Sequence, residues 1–242
     1  QAVHAGDVIE THLVETEPSD GILPRPVPFS VVYEDDDILV VDKPADTPIH
    51  PSIGNYENTL ANGIAWYFEQ KGEPFVYRCI NRLDRDTTGL IVLAKHALSA
   101  AVLSQAMRSR EIHRTYQAFA LGETAASGTI DAPIARLNGS LIQRTVDFAS
   151  GERSVTHYRT LAHCSVFSHL ELNLETGRTH QIRVHMAYIG HPLLGDTLYN
   201  KTPGTFPRQA LHSASLSFVH PITGEPLNFH APLPEDMQNL LT

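Results

Sequence analysis

The residues with the clearest chemical potential lie between positions 81 and 89. This segment reads Asn-Arg-Leu-Asp-Arg-Asp-Thr-Thr-Gly, and an apolar run at residues 90–94 follows it. Loops that adjoin a buried strand often carry functional residues, because the core holds them while their tips stay open. Asp84 stands between Arg82 and Arg85, and neighbouring guanidinium groups keep a carboxylate ionised and able to act as a nucleophile. The alternative is a turn in which the Asp and Thr side chains bond to backbone groups.

A second basic segment, Gly-Arg-Thr-His-Gln-Ile-Arg-Val-His, occupies residues 177–185. A helix is predicted here, with Thr179 as its N-cap, Gly190 as its stop and apolar residues at helical spacing: Ile182, Met186 and Ile189. His180 and Arg183 would share the opposite face. A basic group near a helix N-terminus binds an anion together with the backbone N–H groups, either a phosphate or a carboxylate such as Asp84.

The histidines of this segment do not predict a metal centre. Such a site would need His180, His185 and His191, but side chains at a helical i, i+5 spacing diverge. The segment also contains no acidic partner. No metal is therefore expected.

Tyr116 lies in a third segment, Arg-Thr-Tyr-Gln-Ala-Phe at residues 114–119. If this segment is a strand, Tyr116 and Ala118 face one side of the sheet and Phe119 faces the other. The ordinary interpretation is a core tyrosine. The alternative is a ring that stacks on a nucleobase and a phenol that transfers a proton.

A fourth segment, residues 211–224, predicts a hairpin around a Pro-Ile-Thr-Gly turn and by itself indicates no chemistry.

Composition limits the classes of protein that fit. The chain has 242 residues, of which 42% are hydrophobic and 19% charged, as in globular proteins, and this excludes disorder. No apolar run reaches the roughly 18 residues of a membrane helix, so no membrane partner is expected. The net charge of −9 arises within residues 1–42, whereas residues 78–114 are rich in arginine. The acidic total therefore does not exclude a polyanionic partner.

A cytoplasmic location is expected from the N-terminal sequence and from the cysteines. The N-terminus shows no basic region followed by an apolar stretch, so no signal peptide is expected. The two cysteines, Cys79 and Cys164, sit beside apolar residues and are expected to be buried free thiols.

The remaining patterns predict an α+β fold. A hairpin is predicted at residues 30–33 and 38–41, with further strands at residues 89–95, 114–121, 155–161, 168–174 and 214–219. One helix is predicted after Asn58 as its N-cap, with an apolar face of Leu60, Ile64 and Phe68. Another is predicted over residues 97–109, with an inward face of Leu98, Val102 and Met107. Because strands outnumber helices without regular alternation, we expect a mixed, largely antiparallel sheet flanked by helices and loops.

Taken together, the segments resemble the RluA-type family of RNA pseudouridine synthases. The resemblance rests on residues 37–44, 82–90, 114–118, 177–196 and 211–221 and covers about residues 30–235. The strings Arg-Leu-Asp-x-x-Thr-[Ser/Thr]-Gly and Gly-Arg-Thr-His-Gln-Ile-Arg-Val-His are highly specific. The resemblance implies the pseudouridine synthase fold, with a central catalytic cleft.

The resemblance also implies the reaction and its residues. Specific uridines of ribosomal or transfer RNA would be isomerised to pseudouridine by a monomer without any cofactor, after the nucleotide has flipped out of the stack. Asp84 would act at the ribose, by attack on C1′ or by elimination from C2′. Tyr116 would stack on the uracil and transfer a proton, and Arg183 would hold Asp84 ionised and oriented.

Substrate-binding roles follow from the same resemblance. Arg82, Arg178 and His180 are expected to contact phosphate or to occupy the space that the flipped base leaves. Lys43 is a further candidate for RNA contact, with a solvated lysine as the alternative. Leu211 is a candidate wall for the uracil, with a core position as the alternative.

The chain departs from the family pattern at two places. Asn81 stands where the family often has histidine, which leaves the substrate subgroup open. Relatives often carry an S4-like RNA-binding domain, of which residues 3–9 resemble only the last strand. Residues 1–29 are therefore predicted to be a short N-terminal strand, at residues 5–9 and 11–13, and a Pro-rich linker at residues 18–29. The catalytic domain is predicted at residues 30–242.

Two other classes of function fit parts of the pattern. An RNA-binding module with an inactive loop predicts RNA affinity without product, and the intact set of Asp84, Tyr116 and Arg183 argues against it. A glycoside hydrolase or nuclease needs a second carboxylate or a metal near Asp84. Asp86 is available for this, but its neighbouring threonines are typical of a turn.

Overall fold

The computed structural model describes residues 2–8, 18–164 and 166–241. Its helices are α1 (Leu60–Lys71), α2 (Ala97–Arg108), α3 (Gln181–Tyr188) and α4 (Glu235–Gln238). Its strands are β1 (Ser30–Glu34), β2 (Ile38–Lys43), β3 (Thr88–Ala94), β4 (His113–Leu121), β5 (Ser127–Asp131), β6 (Ile134–Arg136), β7 (Arg144–Val146), β8 (Val155–Cys164), β9 (Phe167–Leu174), β10 (Leu211–Val219) and β11 (Pro226–His230). Within this part of the chain, no helix has the length and apolar character to cross a membrane.

The strands confirm the expected mixed, largely antiparallel sheet. The main sheet has the order β1-β2-β3-β10-β4-β9-β8-β5, β11 pairs with β10, and β6 and β7 form a separate two-stranded ribbon. The pairing of β10 with β3 is parallel, and the other strand pairings are antiparallel. The sequence patterns predicted the two hairpins β1–β2 and β10–β11, but not β5, β6, β7 or α4.

The register of three central strands positions the residues singled out above. In β10, Ser213 pairs with Gly89 of β3 on one side and with Tyr116 of β4 on the other. Gly89 has a φ of +113°, and a Cβ there would collide with the backbone of Ser213, so only glycine fits. The loop at residues 81–87 enters β3 directly beside this row. Asp84 is thereby brought to the Tyr116 region from 32 residues away in sequence.

Both faces of the central sheet are covered. On the face that carries Tyr116, Ile91 and Leu172 pack with the apolar face of α1. On the other face, Val40 and Leu90 pack under Leu103 of α2. Every residue of β3 is buried, which explains its continuous apolar sequence.

Two helix assignments need correction. The N-cap of α1 is Thr59, not Asn58: the Thr59 hydroxyl accepts the Asn62 N–H, and the Asn62 side chain accepts the Thr59 N–H. In α2 the predicted inward face is wrong, because Leu98 and Val102 are 49% and 38% exposed. The helix instead packs on the sheet through Ser99 and Leu103, while Met107 contacts the core at its edge.

The third helix begins later than predicted. α3 starts at Gln181, and Thr179 does not cap it; His180 occupies the cap position with a left-handed φ of +59°. Ile182 and Met186 are buried as predicted. Arg183, expected on the opposite face, is also buried.

The N-terminal strand predicted at residues 5–9 is wrong where the structure describes it. Residues 4–7 form a turn, in which the Asp7 N–H donates to the His4 carbonyl, and residues 5–8 contain no strand; the predicted strand residues 9 and 11–13 lie outside the described residues. The Pro-rich stretch packs along α1, where the Asn62 side chain donates to the Leu23 carbonyl.

The two cysteines are free thiols, as expected, but both are only partly buried. Burial of the Cys79 sulfur raises the pKa of its thiol to about 12, which disfavours the reactive thiolate.

Candidate active site

The loop before β3 presents Asp84 to solvent while its neighbours fix it to the core. Leu83 is buried among core residues, and the Asp84 carbonyl accepts the Thr87 N–H across a turn. Asn81 is also buried: its side chain donates to the Leu90 carbonyl and accepts the Val92 N–H of β3. Asn81, at the family's frequent histidine position, therefore anchors the loop. The Asp84 side chain is 23% exposed.

A guanidinium between two carboxylates is the centre of the site. Arg183 Nη1 donates to Asp84 Oδ2 at 2.9 Å. Its Nε and Nη2 donate to both oxygens of Asp196 at 2.8 and 2.9 Å. Burial lowers the pKa of Arg183, but its bonds to Asp196 and the charge of Asp84 outweigh this effect and hold the pKa above its usual value. Arg183 is thus permanently charged and oriented toward Asp84.

Asp196 anchors this arrangement from behind. It is fully buried and also accepts the backbone N–H groups of Leu198 and Tyr199 through Oδ1. Four donors therefore satisfy its charge, as a buried carboxylate requires. The sequence analysis gave Asp196 no role, since nothing in its spacing indicates a partner 13 residues earlier.

His180 lies near the same Asp84 oxygen that Arg183 binds. The Tyr199 hydroxyl accepts the Arg144 N–H at 2.9 Å, so its proton is free to donate to His180 Nδ1 at 2.8 Å. Burial lowers the pKa of His180, and the charge of Asp84 only partly opposes it. In the neutral ring that this network favours, the proton is on Nε2, which lies 3.9 Å from Asp84 Oδ2. Sequence reasoning also missed Tyr199.

A cleft of about 470 Å³ brings most of the predicted residues together. Its wall includes Asp84, Tyr116, Arg183, Arg82, Arg178, His180 and Leu211. Tyr116 and Leu211 are each only 4% exposed, so each is both a core residue and a part of the cleft wall. Arg82 and Arg178 are exposed at the rim, where Arg178 pairs with Glu152.

Lys43 is the exception. It is fully buried, does not line the cleft, and donates to the carbonyls of Pro44 and Arg85 at 2.8 Å each. Burial lowers its pKa to about 7, against the charges of Asp86 and Asp84. This placement contradicts both the expected RNA contact and the solvated alternative, because the side chain is buried and instead binds the loop that carries Asp84.

The histidines considered for a metal contact different parts of the fold. His185 contacts Thr156 and the Ala132 carbonyl, and His191 contacts the Leu121 carbonyl. His180 faces Asp84 and Tyr199, as described above. The three rings therefore do not converge on one point.

Known proteins with similar sequences are RNA pseudouridine synthases. A family model described as RNA pseudouridylate synthase matches residues 37–188. A protein of Bacillus subtilis named uncharacterized RNA pseudouridine synthase YjbO is 43% identical over 98% of this chain and 83% of its own length. The ribosomal large subunit pseudouridine synthase D of Vibrio cholerae is 43% identical over 97% of this chain and 76% of its own.

Two solved human structures are also similar. RNA pseudouridylate synthase domain containing 1 is 26% identical with a TM-score of 0.70, covering 90% of this chain and 86% of its own. RNA pseudouridylate synthase domain containing 4 has a TM-score of 0.72 at 22% identity, covering 88% of this chain and 91% of its own, which is evidence for the fold alone.

Proposed function

The chain belongs to the family of RNA pseudouridylate synthases, and we propose that it converts uridines of large-subunit ribosomal RNA to pseudouridine with Asp84 as the catalytic carboxylate. In this isomerisation the N1–C1′ bond breaks, a C5–C1′ bond forms, C5 loses a proton and N1 is protonated. Atoms and electrons balance without a co-reactant. The choice of ribosomal RNA is supported by the relative from Vibrio cholerae, which is named for that substrate.

The observation that carries the proposal is that only one oxygen of the Asp84 carboxylate is hydrogen-bonded among the described residues. Arg183 binds only its Oδ2, and His180 faces the same oxygen. Within the described residues, Oδ1 has no hydrogen-bond partner and is free to approach a ribose in the cleft. A carboxylate held ionised beside an oxocarbenium-like carbon is also the chemistry of retaining glycosidases. The same oxygen serves attack on C1′ and proton removal from C2′.

The cleft wall fits a flipped uridine. Tyr116 and Leu211 offer an aromatic and an aliphatic surface for the uracil, and the Tyr116 phenol is available for proton transfer. Arg82, Arg178 and His180 surround this surface and would contact the RNA backbone or fill the space left by the base. All the residues with a proposed role in uridine binding line the cleft.

Hydrolysis is less well supported, because among the described residues no second carboxylate near Asp84 is free. Asp86 bonds to Arg85 and does not line the cleft. Asp196 is fully buried against Arg183. Glu175 does line the cleft, but Arg110, Arg153 and His157 engage it.

The test is tritium release from ribosomal RNA labelled at uridine C5. The wild-type protein should release tritium, Asp84→Asn should not, and the matched loop variant Asp86→Asn should retain most of the activity. Transfer RNA labelled in the same way forms the second arm. Turnover by Asp84→Asn would refute the catalytic assignment, and release from transfer RNA alone would refute the proposed substrate.

We also propose that the protein acts as a monomer in the cytoplasm. The first part is supported by the cleft, whose wall already contains Asp84, Tyr116 and Arg183 without a contribution from a second copy. Light scattering of the active protein bound to RNA would test it, and a dimeric mass would refute it.

A further inference from the structure

One partly buried arginine in the cleft wall has no hydrogen-bond or ion-pair partner among the described residues. Arg114 lies in β4 two residues before Tyr116, so both side chains project from the same face, and both line the cleft. In the part of the chain that the structure describes, its Nε is the one buried side-chain polar atom without a hydrogen-bond partner. No carboxylate within the same part forms an ion pair with its guanidinium group.

Among the other arginines that line the cleft, Arg82 is exposed to solvent, Arg108 donates to the Gln105 side chain, and the remaining three have carboxylate partners. Arg183 binds two carboxylates, Arg178 pairs with Glu152 and Arg110 pairs with Glu175. A partly buried cation without a partner opposes folding, because its lost hydration is not replaced. Arg114 therefore presents a charge that the fold itself leaves unsatisfied.

Gly177 keeps this guanidinium accessible. A Cβ at position 177 would lie 3.5 and 3.6 Å from the two terminal nitrogens of Arg114. The φ of Gly177 is outside the left-handed region, so the backbone conformation does not demand glycine here. The missing side chain instead leaves open space against the guanidinium, which a larger residue would cover.

We propose that Arg114 binds a phosphodiester of the substrate RNA beside the nucleotide that Tyr116 contacts. The inference rests on the proposed function and adds a specific anchor to it. The planar guanidinium matches the oxygens of a phosphate, which is the anion that RNA supplies. Arg114 and Tyr116 are separated by about 7 Å along the strand, so one extended nucleotide can contact both.

The experiment compares Arg114→Gln with Arg159→Gln. Arg159 is an exposed arginine of β8 that pairs with Glu171 and does not line the cleft. For Arg114→Gln, the slope of log Kd against log salt should weaken by about 0.7, the value for one single-strand phosphate contact. Its KM should rise about tenfold or more with kcat little changed, as expected for a lost charged hydrogen bond. Arg159→Gln should match the wild type in all three quantities.

Two further measurements separate binding from a structural role. Arg114→Lys should restore the salt slope, because it keeps the charge. The Tm of Arg114→Gln should be no lower than that of Arg159→Gln, since the substitution removes an unpaired cation. An unchanged slope and KM would overturn the inference, and so would a large fall in Tm.

The salt slopes are also measured in the Asp84→Asn background, where no turnover is needed. A weaker slope there, combined with a wild-type protein that releases no tritium, would retain Arg114 as an RNA contact and refute the proposed reaction. Equal slopes combined with normal wild-type turnover would refute the Arg114 inference alone.

Discussion

The same chemical change at the two carboxylates bound to Arg183 should have different effects on activity and stability. Asp84→Asn and Asp196→Asn each remove one negative charge with almost no change in shape. Asp84 is partly exposed and faces the cleft, whereas Asp196 is fully buried behind the guanidinium. We therefore expect Asp84→Asn to abolish turnover with little loss of stability, and Asp196→Asn to reduce the free energy of unfolding.

The structure gives the expected magnitudes. Asp84 contributes one bond to Arg183, at 2.9 Å, and its exposure to solvent screens the pair. Its loss should cost about 1 kcal/mol or less, which is below about 4 °C in Tm for a chain of this size. Asp196 accepts two bonds from Arg183 and two backbone N–H groups. Breaking such a buried pair costs about 3–5 kcal/mol, or roughly 6–20 °C in Tm.

The assay combines thermal unfolding, RNA binding and tritium release on the same three proteins. Asp84→Asn should bind RNA nearly as the wild type does and release no tritium. Asp196→Asn, measured below its lowered Tm, should also turn over more slowly, because Arg183 loses its rear anchor. Activity measured at several temperatures separates this positioning effect from unfolding.

Two results would refute the reasoning. If Asp84→Asn lowered Tm as much as Asp196→Asn, Asp84 would be a structural carboxylate. If Asp196→Asn left Tm unchanged, the buried ion pair would not hold the site in place.

Three further substitutions test the surroundings of the site. Arg183→Met should abolish turnover and cost about 3–5 kcal/mol of stability, because it leaves Asp196 buried and unpaired; unfolding in urea measures this. Lys43 has a pKa lowered to about 7, so the folded state binds fewer protons than the unfolded state between about pH 7 and the ordinary lysine pKa of about 10.4. The free energy of unfolding of the wild type, measured in urea, should therefore rise relative to that of Lys43→Met as pH rises through this window. Gly89→Ala should cost about 2–4 kcal/mol, since it combines a positive φ with a collision against Ser213, and calorimetry measures it.

Each of these has a contradicting outcome. A stable, active Arg183→Met variant would remove the guanidinium from the mechanism. A parallel pH dependence of wild type and Lys43→Met would mean that burial does not lower the pKa of Lys43. A neutral Gly89→Ala substitution would contradict the register between β3 and β10.

Local patterns predicted much of the fold and part of the site. The hairpin β1–β2 and the strand around Tyr116 follow from alternation and turn residues, which act over a few positions. The concentration of charge around Asp84 before an apolar strand predicted a loop whose residues line the cleft, and its catalytic role stays a prediction. The apolar spacing of α3 also predicted its buried face, although the helix begins at Gln181 because His180 adopts a left-handed turn.

Local sequence patterns gave wrong predictions where contact with another element decides which side chains are buried. The face of α2 turned out to be Ser99 and Leu103, because the sheet beneath the helix selects the side that it buries. Lys43 is buried by neighbours from its own strand and from the catalytic loop 42 residues later. The burial of Lys43 and its carbonyl partners cannot be inferred from the fact that the residue is a lysine.

The side chains available for chemistry can be recognised from the sequence, because motif order and local periodicity are properties of the chain. Their partners follow from the fold. Arg183 meets Asp84 across 99 positions, Asp196 holds it from behind, and Arg114 is left without an anion. These outcomes depend on which strands become neighbours in the sheet, since a charge is stabilised or left unsatisfied only by the groups that folding places against it.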